Sequence, residues 1–269
     1  MLIRNEIEEQ LRQIEREEQV RIVYACESGS RAWGFPSQDS DYDVRFIYVR
    51  RAERYLSIFE NRDVIERPIS EQLDISGWDI RKALWLFRKS NPPLLEWLQS
   101  PIVYEENTGI AGRIRELASL SFSARSVIYH YLHMAKGNYR DYLQGETVKI
   151  KKYFYVLRPL LACGWVEKHR AMPPMAFDEL VRELVPAESS LREEIERLLV
   201  RKKAGEELKL ERRIPVLNHF IEEKLAYYER LAPSFETAAG VPDEALDKLF
   251  RDSLHETGML EALLRPSKN

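Results

Sequence analysis

Apolar residues recur at three- and four-residue spacing over residues 3 to 16, where Ile3, Ile7, Leu11 and Ile14 stand among glutamates and arginines. This pattern predicts an amphipathic helix with one core-facing stripe. The period then changes. Val20-Arg21-Ile22-Val23-Tyr24-Ala25-Cys26 is short, β-branched and aromatic, which predicts a strand, and it stops at the small, turn-forming Glu27-Ser28-Gly29-Ser30. Arg31-Ala32-Trp33-Gly34 has room for only a short helix before the loop chemistry of Pro36-Ser37-Gln38-Asp39-Ser40, and a second strand follows from Tyr42 to Val49. The polar stretch Arg50 to Arg67 has room for a small helix. Pro68 leads to a third extended segment around Gln72-Leu73-Asp74-Ile75-Ser76, and helix resumes near Trp78 or Asp79. Ile80, Ala83, Leu84 and Phe87 keep helical spacing as far as Asn91-Pro92-Pro93, a further short helix covers Leu94 to Leu98, and extended segments end near Tyr104.

Beyond about residue 108 the stretches become long and helical in period: Ala111 to Leu120, Ala124 to Gln144, Thr147 to Lys168, Phe177 to Leu184, Ser190 to Lys203 and Pro215 to Leu231. Ser190-Leu191-Arg192-Glu193 fits a capping box with Ser190 at the N-cap. The chain therefore reads as α+β, with a strand-bearing domain over 1–107 and an all-helical domain over 108–269.

Composition narrows the class. Of 269 residues, 44% are hydrophobic and 32% charged, enough for a core and a solvated surface, which excludes collagen-like and disordered readings. A net charge of -3 supplies no whole-molecule field toward nucleic acid or anionic lipid. Cys26 and Cys163 are too few for a disulfide framework and read as buried thiols. The N-terminus lacks an apolar signal core, and no run reaches the ~18 apolar residues of a membrane span. A soluble, cytoplasmic protein with no membrane partner is expected.

Chemistry concentrates in Gly29-Ser30-Arg31-Ala32-Trp33-Gly34-Phe35-Pro36-Ser37-Gln38-Asp39-Ser40-Asp41-Tyr42-Asp43-Val44. Side chains alternate along a strand, so Asp41 and Asp43 project from one face about 7 Å apart. Two carboxylates aimed together repel unless a cation sits between them, and Mg²⁺ (or Mn²⁺) takes one or two carboxylates and completes its shell with water and phosphate oxygens. Upstream, Gly29 permits backbone geometry closed to other residues, and Ser30 offers a hydroxyl where free N–H groups favour a phosphate; Arg31 adds a charge-assisted contact. If the two strands are sheet neighbours, the bend and the pair meet at one edge. A third carboxylate is expected at Asp74, inside Leu73-Asp74-Ile75, with Asp79 as its rival; Asp79 stands where a helix begins and reads more simply as an N-cap. From Arg125 to Arg158, seven basic residues against two acids alternate with tyrosines, and Lys152 and Arg158 are the expected phosphate contacts. His130 and His133 lack further ligands close in sequence, so no zinc is assigned. Trp33, Trp78 and Trp85 read as hydrophobic wall.

Gly29-Ser30 followed by Asp41-x-Asp43 and a later strand aspartate resembles the DNA-polymerase-β-like nucleotidyltransferase superfamily. More narrowly, Gly29-Ser30-Arg31-Ala32-Trp33-Gly34, Ser40-Asp41-Tyr42-Asp43, Asp74-Ile75-Ser76-Gly77-Trp78-Asp79 and Ser90-Asn91-Pro92 resemble the RNA-ligase-associated nucleotidyltransferases of bacteria and phages. Residues 20 to 104 carry the signature, and the helical part agrees mainly in Lys151-Lys152-Tyr153-Phe154-Tyr155-Val156-Leu157-Arg158-Pro159. The resemblance implies a mixed sheet flanked by helices and a helical C-terminal part. It implies that Gly29 and Ser30 bind a nucleoside triphosphate, that Asp41 and Asp43 ligate metal, and that Asp74 is the third acid. The implied reaction is attack of an acceptor hydroxyl, on RNA or protein, at the α-phosphate, with two metals assisting and pyrophosphate leaving. A catalytically silent nucleotide-sensing or partner-binding module is the alternative, and intact carboxylates argue against it. Asp-x-Asp glycosyltransferases lack a Gly-Ser turn eleven and twelve residues upstream.

Overall fold

The computed structural model describes residues 2–67, 72–206, 210–237 and 240–260; Pro68, expected to lead into the third extended segment, lies outside them. Ile7, Leu11 and Ile14 are fully buried along the helix Leu2–Glu18, in one cluster with Val20, Ile22, Val44 and Phe46. The stripe foreseen from spacing is thus the core face, each side chain contributing about 1.5–3 kcal/mol by leaving water. Gln19, with φ +52°, turns the chain from that helix into strand β1 (Val20–Glu27). Only Arg21 of β1 is exposed, which is why the strand reads as an unbroken apolar run rather than an alternating one.

A five-stranded mixed sheet follows from β1 and from β2 (Tyr42–Arg50), β3 (Val64–Glu66), β4 (Leu73–Asp79) and β5 (Val103–Glu105), in the order β3-β4-β2-β1-β5. β1 runs antiparallel to both β2 and β5, β3 is antiparallel to β4, and β2 is parallel to β4. Strand β3 is unforeseen because three residues in a polar stretch are too few to establish a period of two. The small helix expected in that stretch is Ala52–Tyr55.

Residue contacts gather the chain into two units, one of Met1–Gly29, Asp41–Ser121 and Gly240–Asn269, the other of Ser30–Ser40 and Phe122–Ala239. The expected halves 1–107 and 108–269 each contribute to both. The first unit holds the sheet, the helices Ile80–Arg88, Pro92–Leu98 and Ile110–Glu116, and the helix Asp243–Glu256, whose Phe250 ring meets Tyr55 edge-on at 5.0 Å between centroids. Sequence reasoning passed over Asp243–Glu256 because Leu246, Leu249 and Leu254 form a thin apolar stripe among charges.

The second unit is largely helical, through Ala124–Tyr142, Phe154–His169, Phe177–Leu184, Ser190–Lys203 and Pro215–Leu231. The all-helical expectation needs one correction. β6 (Thr147–Lys149) and β7 (Leu210–Arg212) pair antiparallel, and a 3₁₀ turn over Ile150–Tyr153 separates β6 from the helix Phe154–His169, so the long helix expected from Thr147 begins seven residues later. A three-residue ladder is held by long-range pairing and leaves no local signature. The capping residue also shifts: Ser189, whose hydroxyl accepts from Arg192 N–H at 3.2 Å, caps Ser190–Lys203, and Ser190 is the first helical residue. Phe35, carried by the segment Ser30–Ser40, is 2% exposed in this unit's core, stacked on Phe154 at 5.0 Å and edge-on to Phe177 at 5.4 Å. No helix among the described residues is long and apolar enough to cross a membrane.

Candidate active site

The bend after β1 is built around Asp43. Gly29 takes φ +59°, and a Cβ there would lie 1.9 Å from Asp43 Oδ2, so any other residue would strain the backbone and displace the Asp43 carboxylate. Ser28 N–H donates to Asp43 O at 2.8 Å, and Asp43 N–H donates to Glu27 Oε1 at 2.8 Å. Glu27 is fully buried, its other carboxylate oxygen accepting from the Tyr104 hydroxyl. Ser100 donates its hydroxyl to Glu27 O at 2.6 Å. This buried acid was missed because glutamate in a Ser-Gly turn reads as solvent-facing. Its neighbour Cys26 is inert, burial pushing the thiol up to about 12.

The parallel ladder between β2 and β4 sets Asp43 opposite Asp74. Residues in register share a face, so Asp74 stands with Asp43, while Asp79, an odd number of positions along β4, points to the other side. Arg45, two residues beyond Asp43, joins the pair: its Nη2 donates to Asp74 Oδ2 at 2.7 Å and to Asp43 Oδ1 at 3.3 Å. Asp41, just before β2, is exposed. Asp79 is 4% exposed and caps the helix Ile80–Arg88, Oδ1 accepting from Arg81 N–H at 2.8 Å and Oδ2 from the Tyr55 hydroxyl at 2.9 Å. Burial holds its carboxyl above the usual range against those two hydrogen bonds.

The other expected contacts belong to the second unit. Ser30 O accepts from Phe35 N–H at 3.2 Å, and Arg31 Nη2 donates to Ser40 O at 2.7 Å, closing the loop on itself. Lys152 Nζ lies 4.3 Å from the Tyr142 ring centre and 4.7 Å from that of Tyr155. Its pKa is lowered first by burial and then by Lys151 and Lys149; that of Lys202 is lowered by burial and Lys151. The neighbouring charges that act on these lysines are thus other lysines. Arg158 is 1% exposed, its guanidinium 4.7 Å from the Trp33 ring centre. Trp33 therefore carries a cation as well as packing against the core, and Trp85, expected as wall, is 54% exposed. A groove of about 1170 Å³ in the first unit, lined by Asp63, Lys82, Trp85, Arg88, Asp243 and Phe250 among others, takes in none of the expected site residues.

The chain matches RlaP, described as the RNA repair pathway DNA polymerase beta family, over residues 3–252. The chain belongs to the RlaP family. A similar protein, uncharacterized protein YcgL of Bacillus subtilis, is 54% identical over 254 residues, which covers 94% of this chain and 97% of YcgL. Among solved structures, a nucleotidyltransferase-like protein from Exiguobacterium sibiricum is matched at 14% identity over 94% of this chain and 92% of that one, with a TM-score of 0.30. Membership in RlaP places the chain among DNA-polymerase-β-like nucleotidyltransferases, and the mixed sheet followed by a largely helical region agrees with the fold expected from the resemblance.

A divalent cation is implied by the RlaP assignment. Among the described residues no three His, Cys, Asp or Glu side chains converge as a metal cage. The donors present fit a smaller demand. Asp41 and Asp43 offer hard carboxylate oxygens two positions apart, and the missing Cβ at Gly29 leaves room for Asp43 Oδ2 where it lies. One or two carboxylates suffice for Mg²⁺ when water and phosphate oxygens complete the shell.

Proposed function

We propose that this RlaP-family chain is a metal-dependent nucleotidyltransferase that moves a nucleoside monophosphate from a nucleoside triphosphate to an acceptor hydroxyl, on RNA or on a protein, releasing pyrophosphate. The observation that carries the reading is the register of Asp43 against Asp74 beside a glycine whose replacement would push the Asp43 carboxylate aside. Asp41 and Asp43 would hold Mg²⁺ or Mn²⁺, which when bound supplies a Lewis acid for the phosphoryl oxygens. Asp74 completes the acidic trio. Glu27 fixes the backbone of Asp43 through its N–H, so the carboxylate is aimed before substrate arrives. Gly29, Ser30, Arg31, Lys152 and Arg158 are the proposed nucleotide contacts. The mutual repulsion of Lys149, Lys151, Lys152 and Lys202 supports a polyanionic phosphate ligand, which would relieve it.

The test is incubation with α-labelled nucleoside triphosphates, Mg²⁺ or Mn²⁺, and pools of RNA and protein, comparing the native chain with the Asp41→Ala, Asp43→Ala double variant. Transfer by the native chain and its loss in the double variant is the expected result. Label transfer that persists in the variant overturns the metal assignment, and no transfer to any acceptor favours a nucleotide-sensing or partner-binding module.

A further inference from the structure

The short ladder of the helical unit sets out a row of cations. Val148 and Ile150 are fully buried while Lys149 and Lys151 are exposed, so the alternation through β6 and the 3₁₀ turn directs both lysines outward. From there cations and rings alternate. Lys149 Nζ lies 5.6 Å from the Tyr142 ring centre, and Lys152 Nζ lies 4.3 Å from that of Tyr142 and 4.7 Å from that of Tyr155. The Tyr155 ring meets Trp33 edge-on at 5.9 Å, and Trp33 carries Arg158. Lys202 joins from the helix Ser190–Lys203, its Nζ 5.8 Å from the Phe35 ring centre, and burial and then the charge of Lys151 lower the pKa of both Lys152 and Lys202. All of these residues belong to the helical unit.

Little negative charge is present to answer them. Residues 142–158 hold four cations against the single acid Glu146. Asp141, next to Tyr142, is held by Arg140 at 2.8 Å, and Arg201, next to Lys202, holds Glu206 at 2.8 Å and Glu211 at 3.2 Å. The backbone of a single-stranded nucleic acid calls for positive charge along its phosphates, and its bases call for flat aromatic faces. An acidic polypeptide would use the lysines and gain nothing from the rings of Tyr142 and Tyr155, which are 36% and 39% exposed.

We propose that this row is a binding tract for single-stranded RNA, with Lys149, Lys151 and Lys202 on its phosphates and Tyr142 as a stacking face for a base, and that such a strand is the acceptor. The acceptor clause rests on the nucleotidyltransferase reading above; the tract itself does not.

The experiment is fluorescence anisotropy of a labelled oligouridylate of about twelve nucleotides, titrated with the full chain at several salt concentrations, without nucleotide or divalent ion so that no transfer occurs. The native chain is expected to bind, with an affinity that falls as salt rises. Lys149→Gln combined with Lys151→Gln is expected to make the slope of log affinity against log salt shallower by about 0.7 per lysine. Tyr142→Ala is expected to weaken binding about tenfold at an unchanged slope. No binding by the native chain at low salt, an unchanged slope in the folded double variant, native affinity in Tyr142→Ala, or displacement of the RNA by polyglutamate as readily as by unlabelled RNA overturns the tract. The polyglutamate competition uses the native chain and decides by itself should the variants fail to fold. None of these outcomes bears on the transfer reading, which the label-transfer assay tests separately. RNA bound on the tract while label passes to protein alone overturns the acceptor assignment and leaves the tract.

Discussion

Gly29 and Asp43 are in such close contact that one added methyl group at Gly29 would stand 1.9 Å from a carboxylate oxygen. The backbone at Gly29 is also left-handed, with φ +59°. Gly29→Ala is therefore expected to lose about 1–2 kcal/mol of stability from backbone strain and, by displacing Asp43, to lose label transfer about 100-fold. Urea unfolding and the transfer assay check the two parts separately. Near-native transfer in a folded variant would mean that the aim of Asp43 is immaterial.

Asp79 and Asp74 separate by experiment as they do by geometry. Asp79→Ala removes a helix cap and the acceptor of a half-buried tyrosine hydroxyl, for about 1–3 kcal/mol of lost stability, and is expected to leave Mn²⁺ binding untouched. The pH dependence has a definite sign. Burial raises the carboxyl of Asp79 above its ordinary 3.8 in the fold, so the folded chain retains a proton that the unfolded chain has released. Its contribution is most favourable below 3.8 and is lost as pH rises through the higher folded value. Denaturation of native chain and Asp79→Asn at stepped pH should show the difference moving in favour of the variant as pH rises. A pH-independent difference would contradict this.

Lys152 sits among cations, so removing it relieves repulsion. Lys152→Gln is expected to leave the Tm of ligand-free protein unchanged or slightly higher. Tripolyphosphate at a hundred times its Kd stabilises the native chain by about 2.7 kcal/mol through mass action, and the variant is expected to need more of it for the same gain. Equal thermal shifts at equal concentration in both proteins would place the anion elsewhere.

Phe35 stacks on Phe154 and meets Phe177 in a core otherwise built from residues far along the chain. Phe35→Ala is expected to cost about 3–5 kcal/mol, with Phe35→Leu intermediate, measured by chemical denaturation. A loss below about 1 kcal/mol would mean that the loop does not rely on this anchor.

The nearness of Gly29 to Asp43 was readable because the arrangement is local: a strand, a bend and a strand follow one another within some thirty residues. The cap role of Asp79 was likewise readable, since a carboxylate before a helical period already looks like a cap. Arg45 was not, because an arginine between Val44 and Phe46 has the ordinary look of an outward strand position, and only the parallel pairing with β4 shows what it meets. Glu27 escaped for the converse reason: its partners Asp43, Ser100 and Tyr104 converge from distant segments. Three-residue strands such as β3, β6 and β7 exist through their pairing, and no period of theirs is long enough to see.

The path of the backbone limits how this protein can be taken apart. It leaves the sheet-bearing unit after Gly29, re-enters at Asp41, departs again after Ser121 and comes home at Gly240. No single scission yields two self-sufficient pieces: a fragment stopping at residue 107 would lack the closing helix Asp243–Glu256, and the complementary one would want for Phe35. A cut at any one point therefore separates at least one unit from a segment of its own.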